Sequence, residues 1–579
     1  MNNNNRRYSR RQVLQVASGL AAGSLFTGCT ERRLPNPGVE QSPLTIFYNG
    51  TVLPVDQGFS EQQALAIRGK HVVALGSNDA MLALAGENTQ KIDLAGRTVL
   101  PGFIEPHIHF SLLSLTSGWH DIGPLKYEST AEALAALKRK ADQSPGQGWI
   151  LGCQFDPSLQ KGPAMLTTRE LDRVSDTRPI YVLNASGHLA YVNSVTLRLA
   201  GIKSDTPDPP GERYFRDRKG APNGAMTSKV SLRFLLANPE VREALQSGAV
   251  ETGLGVGDEA SALGITTLCD MATGALGGYA EFENFQRMFA TGRMKTRVRA
   301  YMSAIAAQAI DQSEARPGLG DANVRIAGWK IVSDGSNQGR TGWQFAPYLN
   351  STEHGMHYVE PMALKAMVSK RAAAGWPLAI HGNGDAAIDS ILNAIESATE
   401  AGLDMRALRC RIEHSSILHD EQIARMQRLG VSPSFLINHV YYWGQTMRDN
   451  VFGEKKAQLL DRCASVENAG IAWTMHSDAP VSRMGTLHKI RVAVARDLWR
   501  EPGNILAPEE RVSVEAAIRA VTINAAWQCH SEHEIGSLEK GKLADLVILE
   551  SDPRKVAPVQ LSSIKVSETW MNGRQVYRA

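Results

Sequence analysis

The 579-residue sequence has no hydrophobic run long enough to cross a membrane after residue 42, and no marked excess of either charge. A spanning helix needs about 20 consecutive apolar residues, so none is predicted in the main body of the chain. The formal net charge is +3, and 21% of the residues are charged. A dedicated nucleic-acid binder would carry a concentrated basic face, so we expect no nucleic-acid partner. The chain is also too long for one small core, and more than one structural unit is expected.

Cysteine is scarce as well, with six residues in the chain. They lie far apart and form no C-x-x-C pair. This spacing argues against a disulfide framework and against a cysteine-based zinc site. Three catalytic signatures are also missing: G-x-S-x-G, G-x-x-x-x-G-K-[ST] and H-E-x-x-H. Their absence disfavours nucleophile-elbow hydrolases, P-loop nucleotidases and zincin proteases.

The first 42 residues predict an export signal followed by a tether. Arg10 and Arg11 stand in the pattern Ser-Arg-Arg-Gln-Val-Leu-Gln, which is typical of twin-arginine signals, and an apolar segment over 13–28 follows. Cys29 after Phe-Thr-Gly resembles a bacterial lipobox, so lipidation of Cys29 is predicted; a plain signal peptide cut nearby is the alternative. The expected partner is the twin-arginine translocation machinery. The expected location is the periplasm or the outer face of the membrane, with a lipid anchor.

Strand-like segments at both ends of the remaining chain predict a small composite β-sandwich, built from 43–100 and 531–579. Between them, residues 101–530 alternate strand and helix patterns, which indicates an α/β fold and most often a (β/α)8 TIM barrel. The stretch from about 111 to 255 is too long for one barrel loop, so we predict an inserted subdomain over the active face. The sequence does not predict an oligomeric state.

One short motif organises the interpretation of the middle of the chain. An apolar run ends in His107-Ile108-His109. On a strand, alternate residues point to the same face, so the two imidazoles are expected to converge. Two neutral imidazoles on one face suit a divalent transition metal, usually zinc.

Further polar residues follow other predicted strands. In a parallel barrel the chemistry lies at the carboxyl ends of the strands. The residues found at those ends are Lys330, His381, His414 and Asp478. Each alone could be an ordinary rim residue, but with the His-x-His pair they predict a metal centre.

These residues stand in motifs that resemble the metal-dependent amidohydrolase superfamily, and within it the amidohydrolase family 3 branch with its N-substituted formamide deformylase-like proteins. The resemblance covers roughly residues 43–579. It rests on PGFIEPHIH over 101–109, WK over 329–330 with DGS over 334–336, HGNGD over 381–385, IEH over 412–414, SDAP over 477–480 and GSLEKGKLADLV over 536–547. The resemblance implies a distorted barrel and the composite β-sandwich.

The resemblance also implies roles for the metal-site residues. His107 and His109 would hold one metal ion, and His381 and His414 would hold a second. Asp478 would touch a metal and serve as the catalytic proton carrier.

Lys330 would bridge the two ions after modification by carbon dioxide to a carbamate (N6-carboxylysine). An ordinary ion pair with Asp334 or with a substrate carboxylate is the alternative. One or two divalent ions per chain, with zinc as the expected metal, are therefore predicted.

Residues around these ligands are given supporting roles. The candidates for substrate binding are Arg340, Asn383 and Arg411, although an arginine on a barrel strand is also commonly a structural charge partner. The candidates for orienting the imidazoles are Glu413, Ser477 and Asp385. His476, which stands where the family usually has glycine, is interpreted as a packing or supporting histidine.

The predicted function is hydrolysis of a carbon–nitrogen bond in a small amide, formamide or cyclic amide by a metal-activated hydroxide. Two alternatives stay open. One is a hydrolase of lactone, carbamate or phosphoester substrates, since the same chemistry serves them. The other is an exported lipoprotein whose vestigial barrel acts as a binding or regulatory protein.

Overall fold

The computed structural model describes residues 42–143, 146, 148–209, 211–227, 230–231 and 239–579. The predicted twin-arginine signal and the predicted lipidation site Cys29 lie outside the described residues. Residues 43–579 form one unit by their internal contacts. In the part of the chain that the structure describes, no helix is both long and apolar enough to cross a membrane.

Short strands rich in aliphatic residues, which favour a half-buried pleated surface, open the described chain. They are β1 (Leu44–Tyr48), β2 (Thr51–Val52), β3 (Ala64–Arg68), β4 (His71–Gly76), β5 (Gln90–Asp93) and β6 (Thr98–Pro101). Four of them form a sheet in the order β4-β3-β1-β5. The other two, β2 and β6, pair with each other in a second sheet.

The next strand, β7 (Phe103–Ile108), begins the barrel, and the chain then leaves the barrel for an insert with its own sheet. The strands of the insert are β8 (His120–Asp121), β9 (Ile150–Phe155), β10 (Ile180–Asn184), β11 (Leu189–Val192), β12 (Tyr214–Arg216) and β13 (Pro222–Thr227). They are ordered β12-β13-β11-β10-β9-β8. The sheet has an apolar core of its own, in which the Phe155 and Tyr191 rings meet edge to face at 5.7 Å.

The chain returns to the barrel with consecutive parallel strands, each paired with the one before it. They are β14 (Ile265–Thr273), β15 (Arg297–Ser303), β16 (Val324–Val332), β17 (Leu378–Gly382), β18 (Arg411–His414), β19 (Ser432–Phe435) and β20 (Thr474–Met475). With β7 they form an eight-stranded sheet. A parallel bridge between Ile108 and Ala479 brings its two edges together. The sheet is therefore nearly closed into a barrel.

Three last strands, β21 (Leu546–Leu549), β22 (Val566–Met571) and β23 (Arg574–Arg578), join the sheet that β2 and β6 began. Val99 in β6 pairs with Ile548 in β21, which links the two ends of the chain. Phe47 packs edge to face on Trp570 at 5.1 Å in the core between the sheets. These features confirm the predicted fold class: a TIM barrel, a composite β-sandwich and an inserted subdomain. The exact domain boundaries stay predictions.

The helices lie between and around these strands. In chain order the α-helices are α1 (Asn78–Leu82), α2 (Phe110–Thr116), α3 (Thr130–Gln143), α4 (Thr168–Leu171), α5 (Ser194–Leu199), α6 (Pro239–Ala262), α7 (Ala280–Ala290), α8 (Ala307–Asp311), α9 (Pro361–Ala373), α10 (Asp385–Glu400), α11 (Asp420–Leu429), α12 (Gly444–Thr446), α13 (Glu454–Ala457), α14 (Cys463–Asn468), α15 (Thr486–Ala495), α16 (Val514–Ala520) and α17 (Ile523–Gln528). One turn of π-helix, His439–Trp443, precedes α12.

Candidate metal centre

The carboxyl ends of β7 and β20 meet, and this brings three of the predicted residues together. His107 lies in β7, His109 follows that strand directly, and Asp478 follows β20 by three residues. Oδ1 of Asp478 lies 3.0 Å from Nε2 of His109 and 3.2 Å from Nε2 of His107. These three residues are called the primary cluster below.

The primary cluster has the donor arrangement of a metal site. Oδ1 of Asp478 is buried, and within the described residues no hydrogen-bond donor reaches it with acceptable geometry. Both imidazole nitrogens nevertheless lie close to it, because all three ligand atoms aim at a common region. An unpartnered buried carboxylate oxygen is costly, and a divalent cation would compensate it. Two imidazoles and one carboxylate also match the donors that zinc prefers.

A second group of imidazoles shares His107 with the primary cluster. His107, His414 and His476 each offer a ring nitrogen, and these nitrogens lie within 4.8 Å of one another. Nε2 of His476 is 3.2 Å from Nδ1 of His414, while Nδ1 of His476 is 2.8 Å from Oγ of Ser434. His476 is therefore placed among the ligand candidates, and not only in packing as the sequence suggested.

Burial disfavours the protonated form of these imidazoles. It lowers the pKa of His107, and it lowers the pKa of His414 and of His476 well below the ordinary histidine value. Burial opposes ionisation of Asp478, but the adjacent His107 holds the pKa of its carboxyl well below the usual value. Neutral rings and an ionised carboxylate are the protonation states that metal binding requires.

The orientation of His107 is fixed from behind. Its Nδ1 donates to Oε2 of Glu413 at 2.6 Å, which leaves Nε2 with its lone pair toward the cluster. Arg411 in turn binds both carboxylate oxygens of Glu413 and donates to the carbonyl of Pro106 at 3.1 Å. Although burial opposes it, Arg411 holds the pKa of Glu413 far below its usual value.

The other residues proposed to orient the imidazoles lie elsewhere. The Ser477 amide donates to Oε1 of Glu105 at 3.0 Å, and Glu105 forms a buried ion pair with Lys489 at 2.7 Å. Asp385 accepts from the amide of Phe345 and is paired with Lys456. Of the three candidates, Glu413 is the one whose side chain contacts a cluster histidine.

Lys330 projects from β16 toward the same point. Its Nζ lies 3.4 Å from Nε2 of His107, and burial lowers the pKa of Lys330 to about 8. Asp334, the alternative ion-pair partner, instead accepts from the amides of Asn383 and Gly384 and lies 3.3 Å from Nε2 of His381. Lys330 is thus buried near a cluster ligand with an amine that loses its proton readily.

His381 stands beside these groups with its Nε2 turned elsewhere. Its ring centroid is 4.4 Å from that of His414, but Nε2 is 3.1 Å from the carbonyl oxygen of Gly335 and 3.1 Å from Nδ2 of Asn383. Asn383 is buried and also donates to Gly335, so its side chain is engaged with the His381 strand end. The structure therefore brings His381 and His414 into ring contact without pointing both at one centre.

The two arginines proposed to bind substrate are not at the cavity. Arg411 is completely buried behind Glu413, where its guanidinium has no access to substrate. Arg340 is exposed and donates to the carbonyl oxygen of Asn450 at 2.6 Å. Both positions correct the sequence-based expectation: one arginine supports a ligand from below, and the other lies outside the site.

Two histidines that the sequence analysis did not single out lie near the site. His188, on the β10–β11 turn of the insert, packs its ring 4.9 Å from that of His381. It lies four residues after the end of β10, so no residue pattern set it directly at a strand end. His439 lies 3.3 Å from Oγ of Ser416, and burial lowers its pKa to about 4. His439 begins the π-helical turn His439–Trp443, and it does not follow a predicted strand.

The centre opens into a cavity of about 160 Å³, which both the barrel and the insert line. His109, Lys330, His381, His414, Asp478 and His188 are on its wall. The backbone at the rim is unusual, with positive φ at His414 (69°), Ser415 (45°) and Asp478 (57°). Such strain in residues other than glycine is concentrated at functional sites.

Comparison with known proteins supports a common family. The model of the amidohydrolase family matches residues 90–577. N-substituted formamide deformylase from Arthrobacter pascens is 27% identical over 537 residues, which cover 91% of this chain and 97% of that protein. Protein LONG AFTER FAR-RED 3 from Arabidopsis thaliana is 27% identical over 540 residues, 91% of each chain.

Solved structures agree on the fold. An uncharacterized metal-dependent hydrolase from Pyrococcus furiosus has a TM-score of 0.66 at 23% identity and covers 88% of this chain and 100% of its own. A second, from Pyrococcus horikoshii, has a TM-score of 0.68 at 21% identity and covers 89% of this chain and 99% of its own.

Proposed function

The chain belongs to the amidohydrolase family, and we propose that it hydrolyses a carbon–nitrogen bond of a small amide, formamide or cyclic amide with the help of a divalent metal ion. The observation that carries this proposal is the convergence of two histidine nitrogens on the buried Oδ1 of Asp478, which accepts no well-formed hydrogen bond within the described residues. The similarity to N-substituted formamide deformylase supports an amide-type substrate.

We propose that His107, His109 and Asp478 hold the ion and that zinc is the metal, since these donors suit it. His414 and His476 are the donors for a second ion, with His381 beside them. When bound, such an ion lowers the pKa of water toward neutrality and polarises a carbonyl group.

Asp478 is the residue we assign to proton transfer. Its carboxylate is ionised and faces the cavity, and within the described residues its Oδ1 accepts no hydrogen bond of acceptable geometry, although the nitrogens of His107 and His109 lie close to it. It can accept a proton from attacking water and return it to the leaving nitrogen, which is the work of a general base and then of a general acid. Glu413 and Arg411 hold His107 in register for the same reaction.

Lys330 is proposed to carry the carbamate. The neutral amine, favoured by burial, adds its lone pair to the carbon of carbon dioxide and releases one proton, which gives an anionic carboxylate group on Nζ. Replacing Lys330 with alanine should lower the metal content, and a short carboxylic acid should restore part of it. Unchanged metal content in that variant would remove the bridging role.

A hydrolysis screen tests the activity. Purified protein, loaded with zinc and separately treated with a chelator, is offered N-formyl, N-acyl and cyclic amides alongside lactones and phosphotriesters. Chelator-sensitive release of amine from the amide series supports the proposal. Turnover confined to the oxygen esters would move the chemistry to those substrates, and a fully metallated protein without any turnover would favour the binding-protein alternative.

We further propose that residues 1–42 direct export by the twin-arginine route and that Cys29 is lipidated. Replacing Arg10 and Arg11 with lysine should leave the protein in the cytoplasm, and Cys29→Ala should release it from the membrane. Cell fractionation distinguishes the two effects. An unchanged distribution of both variants would contradict the proposed export and lipidation.

A further inference from the structure

A second cavity lies directly beside the metal cavity. It has a volume of about 200 Å³ and is lined from the insert and from the loops after β19 and β20. Gln154, Ala185, Pro480 and Val481 are on the walls of both cavities. The two spaces are therefore neighbours with a thin common wall, and neither the metal nor the proton transfer assigned above uses the second one.

The wall of the second cavity is largely aromatic, and the indole N–H of one of its tryptophans already has a hydrogen-bond partner. Tyr442, Trp443 and Trp499 line it, with the Tyr442 ring 5.8 Å from Trp443 and 5.6 Å from Trp499 in edge-to-face contact. Nε1 of Trp443, the polar atom of that indole, donates at 2.7 Å to the buried Asp156 and is thereby engaged. Such a surface favours another ring over a polar group.

The charges on this wall do not favour an ion. Asp121 is paired with Lys126 at 2.9 Å. Among the described residues of the wall, that leaves one cation, Arg483, and one anion, Glu259, so their charges balance. The chemistry of the cavity thus fits a neutral, ring-bearing group.

A hydrogen bond joins two of the four residues that line both cavities. Nε2 of Gln154 donates at 2.7 Å to the carbonyl oxygen of Pro480, in the loop that carries Asp478. Gln154 has a φ of 66°, in the left-handed region that glycine favours. A strained glutamine at this point suggests that its side chain is needed there.

We propose that the second cavity is a specificity subsite for a neutral aromatic substituent of the amide substrate, and that Gln154 divides it from the metal cavity. The substituent extends from the scissile bond past Gln154 onto Trp499 and Tyr442. The inference depends on the proposed function only for the identity of the bond that is cleaved.

Two measurements test the subsite. The first measures kcat/KM for formamides and alkanamides that carry a phenyl ring on linkers of increasing length, each against its n-alkyl counterpart. The second measures binding of the unreactive probe 4-phenylbutan-1-ol, against heptan-1-ol, by calorimetry. The variants are Trp499→Leu, Leu125→Trp, which narrows the cavity at a residue 43% exposed, and Gln154→Ala. The matched control is Trp527→Leu, at a half-buried tryptophan in α17.

In the wild type and in Trp527→Leu, the ring is expected to raise kcat/KM roughly tenfold once the linker reaches past Gln154, as one well-filled apolar contact does. Trp499→Leu and Leu125→Trp should each lose that gain, and Gln154→Ala should shift it to a shorter linker. The probe alcohol should bind the wild type and the control alike, and at least roughly tenfold more weakly to Trp499→Leu and to Leu125→Trp.

Equal binding of the probe in all variants, or no preference for it over heptan-1-ol, would overturn the subsite whether or not the protein turns over any amide. Conversely, selective probe binding without amide turnover would keep the subsite and reject the proposed function.

Discussion

Two buried polar clusters lie at opposite ends of the barrel strands, and they differ in how their charges are met. At the amino end of β15, Arg297 binds both oxygens of Asp545, at 2.8 and 3.0 Å, and also reaches the side chain of Asn323 at 3.0 Å. At the carboxyl ends, the primary cluster of His107, His109 and Asp478 leaves Oδ1 of Asp478 without a well-placed hydrogen-bond donor in the described part of the chain.

The difference separates a structural cluster from a functional one. A buried charge is tolerated when its partners complete its hydrogen bonds, and Arg297 with Asp545 meets this condition while tying the barrel to the C-terminal strands. In the primary cluster, His107 and Asp478 are buried and His109 is partly buried at the cavity, and the hydrogen bonds of Asp478 are incomplete, so its atoms are arranged for something that binds there. Burial and charge alone therefore do not identify a functional site. A buried polar group whose hydrogen bonds are incomplete does.

The largest expected effect is at Asp478. In Asp478→Asn the amide cannot accept a proton, so kcat should fall by about 10²- to 10⁴-fold. The fold should persist, because asparagine has the same size and shape as aspartate and keeps an oxygen for the contacts with His107 and His109. Steady-state kinetics and circular dichroism check both halves. A wild-type kcat in this variant would contradict the role given to Asp478.

The complementary change is at the structural cluster. Arg297→Met leaves Asp545 buried without its partner, which should lower the free energy of unfolding by about 3–5 kcal/mol. The kcat per folded molecule should stay unchanged. Denaturant titration measures the loss, and the double variant Arg297→Met with Asp545→Leu should recover part of it. A large drop in kcat with normal stability would erase the distinction between the clusters.

A smaller effect, on metal affinity, is expected from a change at Glu413, which contacts His107. Glu413→Gln weakens the hydrogen bond that fixes the His107 ring, and metal affinity should fall about 10- to 100-fold. Competition with a metal-sensitive chelator measures this. The matched control is Asp385→Asn, since the side chain of Asp385 does not contact a cluster histidine. Equal affinity in both variants would show that Glu413 does not orient the ligand.

The smallest effect is expected at Arg340, which lies outside both clusters. Its side chain is exposed and donates to one backbone carbonyl. Arg340→Ala should change the free energy of unfolding by less than about 0.5 kcal/mol and leave kcat/KM unchanged. A raised KM with intact stability would return Arg340 to the substrate site.

Local patterns predicted much of the fold. The sequence predicts helices at 129–143, 361–374, 385–401 and 420–429, and their ends differ by at most one residue from those of α3, α9, α10 and α11. Capping signals and apolar spacing define such helices locally. No apolar or alternating pattern predicts the strand β19, because its four residues are Ser, Pro, Ser and Phe; it lies buried between β18 and β20. Tertiary context decided that element.

The site was less accessible to sequence reasoning. Residues at strand ends could be named, because chain order in a parallel barrel places them on one face. The direction of each side chain could not be named: Arg411 faces Glu413 below the cluster. His188 arrives from the insert, whose position over the barrel no local pattern encodes. His476 acquires its place from contact with His414, 62 residues away in the chain.

The most direct test of the account is the metal content of the purified protein after zinc loading and dialysis, compared with a His107→Asn, His109→Asn double variant. The account predicts about one or two zinc ions per wild-type chain, loss of at least one of them in the double variant, and a thermal midpoint that chelation lowers more in the wild type than in the double variant. A wild-type chain that retains no divalent metal after loading, and whose thermal midpoint does not respond to zinc, would contradict the claim that the incomplete cluster is a metal centre.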